Sequence, residues 1–444
     1  MNNHKPTGLR HYTMRGMLAA FAAPLALAAA SLAHAEEPLK IGMIGDFVGQ
    51  AGIYGQPSKN VGELAIADIN AAGGVGGKPV ALMFGEASSN PQQALSEAQR
   101  LVTVEGVQAL AVTVGSSGCL AVKQGVAVPQ KIPMFGTVCV SPVHTLDQKD
   151  HAGFFFRARS SIETMMAPIA KMAASDGVKR VCVMFVNNAY GQSAEASFKE
   201  AFLKLVPDGS VLSAGIPDAT AASYLSELKT CTADGHDTVV AAAYGEGQSD
   251  VFMKEGLEYG LVKKFYFDED QETPSLYEKL GWEPFDGSIG MSGSAIPGPG
   301  LDYFIQAYTA KYGAAPDMPL VEMNYDAVVL LALAAAKAGT ADPTAIRAAI
   351  FEVANGPGEK IGPGVDELKK ALALIKEGKP IDYIGVTGMN DYDDRGENRV
   401  GGAKFWHIDA KEKKIVTDGF VRYDRNAGTF EFLPSKDCKI CKPF

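Results

Sequence analysis

Residues 40–79 decide the fold, and they read KIGMIGDFVGQAGIYGQPSKNVGELAIADINAAGGVGGKP. Residues 40–45 form a short apolar run that ends in glycine and aspartate, which is typical of a buried strand. After a glycine-rich loop, apolar residues recur between residues 61 and 72 at the spacing of one helix face. Gly73 and Gly74 end this helix, and the pattern predicts a second strand from Val80.

A strand, loop, helix and strand in this order form the building block of a parallel sheet. Ligands of such sheets bind beyond the carboxyl ends of the strands, so we expect a site near the loop of residues 46–56, which carries Phe47 and Tyr54. The glycines of residues 73–78 look like a phosphate-binding loop, but Ala72 and Pro79 stand where that motif requires glycine and serine or threonine. They also follow a helix and precede a strand, and we interpret them as a turn.

The first 35 residues have the pattern of a cleaved export signal. Basic residues precede an apolar run over residues 17–32, and Ala33-His34-Ala35 supplies the small-x-small cleavage pattern. The apolar run is short for a membrane-spanning helix and no stop-transfer pattern follows it. We therefore predict an exported protein that is cleaved after Ala35.

The alternation of strands and helices continues along the chain in two series, over residues 40–135 and 162–267. Two such series predict an α/β protein with two doubly wound parallel-sheet lobes. A segment rich in proline and glycine, residues 293–300, separates these series from a helical region that we expect to cover the first lobe. The remaining predictions are a crossing segment at 154–158, helices at 301–312, 320–338 and 343–354, and late strands at 405–408 and 415–421.

Charge and motifs argue against several classes of protein. The net charge of −10 does not suit a nucleic-acid surface, which needs clustered Lys and Arg. The seven histidines never fall at metal-ligand spacing, and no G-x-S-x-G motif occurs. Residues 391–396 begin like a calcium loop, but Arg395 stands at a ligand position. We predict no catalysis, no metal and no cofactor.

Six cysteines in an exported protein suggest disulfides, although the sequence leaves their pairing open. Cys119 and Cys139 follow two successive predicted strands, so they could meet near the carboxyl edge of the sheet. Cys182 lies in an apolar strand and is most simply a buried thiol. The C-x-x-C pair Cys438 and Cys441 could close on itself, bind a metal or stay reduced.

Several motifs together resemble the periplasmic leucine/isoleucine/valine-binding family, the substrate-binding subunits of branched-chain amino acid ABC importers. They are Tyr54-Gly55, DINAAGGVGGK at residues 68–78, NNAYG at 187–191 and DYDDRG at 391–396. The resemblance extends over residues 39–423 and is weaker at 366–384 and in the tail. It implies a monomer in the periplasm with two lobes joined by three crossovers, the type I periplasmic binding protein fold. The implied segments are 36–157 with 295–400 for lobe 1, and 158–294 with 401–444 for lobe 2.

The resemblance also implies a function and a set of contacts. A small amino acid-like ligand, most simply a branched-chain or aliphatic amino acid, is held between the lobes by hinge closure and delivered to a membrane ABC permease. Ser117 matches the serine that binds the ligand carboxylate, with N–H groups of the following helix nearby, and Glu269 matches the acid that pairs with the ammonium group. The further implied contacts are Tyr54, Gly118, Val138, Val140, Tyr190 and Tyr244.

One residue departs from the family pattern. Val140 stands where the family often has a threonine whose hydroxyl helps to bind the ammonium group, although its N–H group and the Val138 carbonyl remain as contacts. The family also contains binders of amides, urea and aromatic acids, so these remain alternative ligands. A periplasmic sensory module that presents the ligand to a membrane receptor is the alternative role, because one fold permits both uses.

Overall fold

The computed structural model of the protein describes residues 38–47, 52–316, 320–436 and 438–440, and within residues 52–54 it describes the backbone alone. The predicted leader, residues 1–35, lies outside this range. The described strands, in chain order, are β1 (Lys40–Gly45), β2 (Ala81–Glu86), β3 (Ala109–Thr113), β4 (Met134–Gly136), β5 (Phe155–Arg157), β6 (Arg180–Val186), β7 (Ser210–Ile216), β8 (Thr238–Ala242), β9 (Lys264–Phe267), β10 (Ile289–Gly293), β11 (Glu359–Ile361), β12 (Ile381–Tyr383), β13 (Val400–Asp409), β14 (Lys414–Asp424) and β15 (Thr429–Pro434).

The α-helices alternate with these strands. In chain order they are α1 (Gly52–Ala71), α2 (Pro91–Thr103), α3 (Ser116–Val122), α4 (Glu163–Ser175), α5 (Ala189–Leu205), α6 (Leu225–Cys231), α7 (Asp250–Glu258), α8 (Pro274–Leu280), α9 (Pro299–Tyr312), α10 (Met323–Ala338), α11 (Pro343–Ala354) and α12 (Val365–Lys376).

The first sheet contains five parallel strands in the order β2-β1-β3-β4-β5. Its central strands are buried on both faces, as their nearly continuous apolar sequences require. Helices α1 and α9–α12 contribute to the core on one face, while α2 and α3 contribute to the core on the other. Helix α10 is apolar around its circumference and almost wholly buried. We call this sheet and its helices the first lobe.

The second sheet is mixed, with the order β15-β14-β13-β10-β9-β8-β6-β7. Strands β6 to β10 run parallel, and β13, β14 and β15 extend the sheet in antiparallel fashion. Residues from this sheet and from helices α4 to α8 form one continuous core. We call this sheet and its helices the second lobe, and the two lobes confirm the predicted α/β fold class.

The chain passes between the lobes three times. It leaves the first sheet after β5, leaves the second sheet after β10, and returns to the second sheet at β13. The first and second crossings meet where a Cβ atom at position 293 would lie 2.3 Å from the Arg159 guanidinium. Glycine at position 293 therefore permits the close approach of these two segments.

Several elements differ from the sequence predictions. The interpretation of residues 154–158 as a crossing segment is wrong, since β5 within this segment is the fifth strand of the first sheet. The predicted late strands extend further, and β10, β15 and the small parallel sheet of β11 and β12 were not predicted. These strands are too short to show a clear periodicity of apolar residues. Their formation depends on neighbouring strands that are distant in the sequence.

The described cysteines are all disulfide-bonded. Cys119 joins Cys139 near the carboxyl edge of the first sheet, where we predicted that the two could meet. The interpretation of Cys182 as a buried thiol is wrong, because it joins Cys231 at the end of α6 with a Cα–Cα distance of 5.2 Å. Cys438 is also disulfide-bonded, and Cys441 lies outside the described residues.

We expect removal of the Cys182–Cys231 disulfide, by Cys182→Ala with Cys231→Ala, to lower the free energy of unfolding by about 2–4 kcal/mol. The bond closes a loop with a sequence separation of 49 residues, so its loss increases the entropy of the unfolded chain. Urea denaturation of the oxidised wild-type protein and the variant measures the difference. Equal midpoints and slopes would contradict a stabilising role.

No single helix in the described ranges is long and apolar enough to cross a membrane. Helices α10 and α11 have the length and apolar composition of a membrane span only when they are taken together, and they are bent by 106° relative to each other. Both contribute side chains to the core of the first lobe.

Candidate functional site

A cavity of about 460 Å³ lies between the carboxyl ends of the two sheets. Its wall comes mainly from segments that follow β1, β2, β3 and β4 in the first lobe and β6, β7, β8 and β9 in the second lobe. This volume falls in the range of small-molecule sites, and the position is that expected for ligands of parallel sheets.

The cavity collects most of the residues that the sequence predicted as contacts. Tyr54 belongs to α1, but its side chain lies outside the described part of the structure. The predicted residues that line the cavity are Ser117, Gly118, Val138, Val140, Tyr190, Tyr244 and Glu269.

The first wall is built around the start of α3. The first N–H groups of a helix have no partner within the helix, so they can face a ligand. The Ser116 hydroxyl accepts hydrogen bonds from the N–H groups of Val140 and Ser141, both at 3.2 Å, and so holds the loop after β4. The Ser117 hydroxyl accepts a hydrogen bond from the Ala189 N–H group at 3.4 Å, which links it to the second lobe.

Buried groups fix the loop after β4 in place. The Cys119–Cys139 disulfide ties this loop to α3. The guanidinium group of Arg157, which is fully buried, donates hydrogen bonds to the carbonyl oxygens of Cys139 and Ser141, the latter at 2.7 Å. Arg157 also pairs with Glu397 at 2.9 Å. The geometry of Val138 and Val140 therefore depends on a buried ion pair outside the cavity.

Tyrosines on the second wall are positioned by helix α5. The Asn188 side chain caps this helix by accepting hydrogen bonds from the N–H groups of Tyr190 and Gly191, at 3.0 and 3.2 Å. Its amide group donates to the Tyr244 hydroxyl at 3.0 Å. The rings of Tyr190 and Tyr244 are 5.9 Å apart, so one asparagine orders both tyrosines.

Glu269 has a strong partner that the sequence did not indicate. Arg159 donates two hydrogen bonds to the Glu269 carboxylate, at 3.0 and 2.5 Å, and the Gly293 N–H group donates a third at 3.2 Å. Arg159 is fully buried and Glu269 is 7% exposed. A carboxylate has about four acceptor positions, so Glu269 keeps one for a ligand. Arg159 also approaches the Val138 carbonyl, at 3.4 Å.

The residues beside Glu269 are also acidic. The Tyr190 hydroxyl donates a hydrogen bond to Asp268, whose pKa is raised by burial and by the nearby Asp270. Burial and the charge of Glu269 raise the pKa of Asp270 to about 7, against the opposing effects of Tyr190 and Arg159. We call Glu269 and Asp270, which both line the cavity, the acidic pair. A bound cation beside Asp270 would favour its ionised form.

The raised pKa of Asp270 predicts a pH-dependent cost in stability. Between the unfolded pKa near 4 and the folded pKa near 7, the folded state binds more protons, so the wild-type protein loses stability as pH rises. We expect Asp270→Asn to be more stable than the wild-type protein at pH 8, by up to about 4 kcal/mol, with little difference at pH 4. Urea denaturation at both pH values measures this change.

Asp208→Asn serves as the control for this pH dependence. A hydrogen bond from Lys179 and the charge of Lys179 lower the pKa of Asp208, so its replacement should shift the pH dependence in the opposite direction. A stability difference for Asp270→Asn that is equal at pH 4 and pH 8 would contradict the assignment.

The described wall of the cavity carries acidic side chains and no Lys, Arg or His. The charge of Glu269 is balanced by Arg159, which lies behind the wall. The other carboxylates of the wall have no ion-pair partner among the described residues. Those carboxylates are Asp46, Asp218, Glu246 and Asp270.

Cys119, Cys139 and His144 lie close enough together to suggest a metal site. Both sulfur atoms belong to one disulfide, so they do not act as thiolate ligands. The ring nitrogens of His144 contact the carbonyl oxygens of Ser141 and Ser116, at 2.6 and 2.9 Å. We assign this cluster a structural role.

Comparison with protein families shows to which family this chain belongs. A family model described as periplasmic binding protein matches residues 38–358, which is well over half of the chain. The chain belongs to the periplasmic binding protein family. The predicted family resemblance is thereby confirmed.

Relatives of this periplasmic binding protein agree with that assignment. Leu/Ile/Val-binding protein homolog 7 of Brucella suis biovar 1 (strain 1330) is 27% identical over 339 residues, which are 73% of this chain and 83% of the relative. The leucine-binding protein LivK of Thermotoga maritima MSB8 superposes with a TM-score of 0.70 at 20% identity, over 86% of this chain and 98% of LivK. These relatives are named as binding proteins rather than enzymes.

A further structural neighbour contains a different ligand. It is a solute-binding protein of an ABC transporter from R. palustris in complex with 4-hydroxybenzoate, with a TM-score of 0.67 and 19% identity over 86% of this chain and 95% of the neighbour. Likeness at this identity shows a common fold, and the ligand has to be inferred from the cavity itself.

Proposed function

We propose that this periplasmic binding protein captures a small amino acid-like ligand between its lobes and delivers it to a membrane ABC permease. The single observation that supports this most strongly is the polarity of the cavity. Ser117 and the start of α3 stand on the first wall, and the acidic pair stands on the second. A ligand with a carboxylate and an ammonium group can contact both walls.

In the proposed mechanism the ligand stabilises the closed arrangement of the lobes. Contacts that already cross the cleft are Ser117 with Ala189, at 3.4 Å, and Ser141 with Ser193, at 2.7 Å. A ligand shifts an open–closed equilibrium by the difference between its affinities for the two forms. Contacts to both walls supply such a difference, because they exist together when the cleft is closed. Micromolar affinity would correspond to a net binding free energy of about 8 kcal/mol.

The lobes each move as a rigid body in this mechanism. We propose the segments expected from the sequence for them, residues 36–157 with 295–400 and residues 158–294 with 401–444. We also propose the periplasm as the location of the mature protein and a monomer as its working form. Membership of the periplasmic binding protein family supports the location.

The acidic wall favours ligands that carry an amine over the alternative ligands. An aromatic acid is anionic at neutral pH and would face several acidic side chains without a basic side chain on the described wall. Amides and urea are neutral hydrogen-bond donors. They have no ammonium group, so they do not need the hydroxyl that the family often has where this chain has Val140. We propose amine-bearing ligands first and these neutral donors second.

A thermal-shift screen tests this function. The panel contains amino acids, primary amines, amides, urea and aromatic acids, each added to the purified protein. A ligand that binds only the folded state raises the melting temperature, and a hundredfold excess over Kd contributes about 2.7 kcal/mol. We expect shifts with amine-bearing ligands and a smaller shift in Ser117→Ala. Shifts confined to aromatic acids would contradict the proposal.

A further inference from the structure

The first wall has a second polar group at the end of β1. Asp46 lines the cavity and is 7% exposed. One of its carboxylate oxygens accepts a hydrogen bond from the Ser89 N–H group, and no Lys, Arg or His among the described residues forms an ion pair with it. Burial, and to a lesser degree the charge of Glu86, raise the pKa of Asp46, whereas the bond from Ser89 lowers it. An aliphatic ligand leaves this carboxylate without a cationic partner.

An unsatisfied hydroxyl lies next to Asp46. Thr113 is the last residue of β3, opposite Gly45 in the β1–β3 pairing, and it lines the same cavity. It is 6% exposed, and its hydroxyl oxygen has no hydrogen-bond partner among the described residues. Buried hydroxyl groups without a partner are rare and cost free energy, which points to a polar ligand group on this side.

Carboxyl groups without a cationic partner among the described residues thus occur on both walls of one cavity. They are Asp46 on the first wall and Asp270 on the second. Burial and the charges of Asp218, Asp270 and Asp46 raise the pKa of the Tyr244 hydroxyl, which lies between them. A zwitterion with an aliphatic side chain can satisfy only one of these carboxylates. A second positive group on the ligand would satisfy the other, because opposite charges in a cleft stabilise each other strongly.

We propose that the natural ligand carries two positive groups, one received by Asp46 with Thr113 and the other by the acidic pair. Basic α-amino acids and α,ω-diamines form this class. The inference rests on the proposed function and narrows it, since it excludes branched-chain amino acids as the preferred ligands.

Isothermal titration with matched ligands tests the inference. Lysine and norleucine have the same carbon chain and differ in the terminal amine, so their affinity ratio reports the second positive group. Leucine, putrescine and 4-hydroxybenzoate complete the panel. We expect lysine to bind at least about tenfold more tightly than norleucine, with the ratio falling as salt is added.

Two shape-preserving variants locate the second group. Asp46→Asn removes the charge, and we expect it to weaken lysine binding at least about tenfold while changing norleucine binding less than about twofold. Thr113→Val removes the hydroxyl, and we expect about a three- to tenfold loss for lysine alone. Glu200→Gln, at an exposed position of α5, is the control and should leave both affinities unchanged.

The outcomes separate this inference from the function on which it rests. Tighter binding of lysine that disappears in Asp46→Asn supports it. Equal or tighter binding of norleucine or leucine overturns it and leaves the proposed function standing. A lysine preference that persists in Asp46→Asn overturns the role of Asp46. If no amine binds, both the inference and the proposed function are wrong.

Discussion

Glu269→Ala is expected to weaken binding of an amine-bearing ligand at least about a thousandfold, which corresponds to about 4 kcal/mol. The change removes a carboxylate that faces the ligand ammonium group. It also leaves Arg159, fully buried and 2.5 Å from the carboxylate in the wild-type protein, as an unbalanced positive charge behind the wall. Both effects oppose a cationic group in the cleft. Isothermal titration with the ligand found in the thermal-shift screen measures the loss.

Loss of folding has to be separated from loss of binding in this variant, because an unpaired buried charge destabilises the protein. Glu269→Gln keeps the size of the side chain and one acceptor oxygen, and it should fold while still binding weakly. Glu322→Gln is the matched control, and it should leave ligand binding unchanged. Glu322 is 8% exposed and accepts a hydrogen bond from the Ala295 N–H group at 3.1 Å, outside the described wall of the cavity. Unchanged titration heats in folded Glu269→Ala would refute the role of Glu269.

Arg157→Met is expected to lower the free energy of unfolding by about 3–5 kcal/mol. The change leaves Glu397 buried without its partner at 2.9 Å, and it removes donors to two carbonyl groups of the loop after β4. Burial raises the pKa of Glu397, but the charge and hydrogen bonds of Arg157 lower it overall. The stability that this carboxylate contributes is present above its unfolded pKa and is lost as pH falls through the folded pKa.

Urea denaturation at neutral pH measures this effect, and two further variants define its origin. Lys204→Met breaks an exposed ion pair with Glu200 on α5 and should give no measurable change. Adding Glu397→Leu to Arg157→Met removes the buried carboxylate, which in the single variant keeps only the longer ion pair with Arg425 at 3.6 Å, so the double variant should regain part of the loss. A single variant as stable as the wild-type protein would show that the buried pair does not hold the loop.

Local patterns in the sequence predicted much of the fold. The alternation of apolar runs and amphipathic stretches over residues 40–135 and 162–267 predicted two parallel-sheet lobes, because each unit buries its own strand and helix face. The same reasoning placed Cys119 near Cys139, since both follow neighbouring strands. It did not pair Cys182 with Cys231, because the contact joins a central strand to a helix 49 residues away.

The candidate site was predictable to the extent that it follows strand ends. Ser117 lies four residues after the end of β3 and Glu269 two residues after the end of β9, and the resemblance marked them. Asp46 belongs to the loop of residues 46–56 where the sequence predicted a site, but neither it nor Arg159 nor Thr113 was identified as a contact. Their importance arises from tertiary structure, which leaves no local signal in the sequence. Arg159 joins the first crossing segment to Glu269 after β9, and the Thr113 hydroxyl has no partner among the described residues.

A crystal structure of the protein with the ligand that gives the largest thermal shift tests the central claim most directly. We predict density for the ligand inside the cavity between the lobes. Its amine should lie within hydrogen-bond distance of Glu269 or Asp270, and its opposite end should face the wall that contains Ser117. A ligand bound elsewhere, or one that turns an anionic group toward the acidic pair, would contradict the claim.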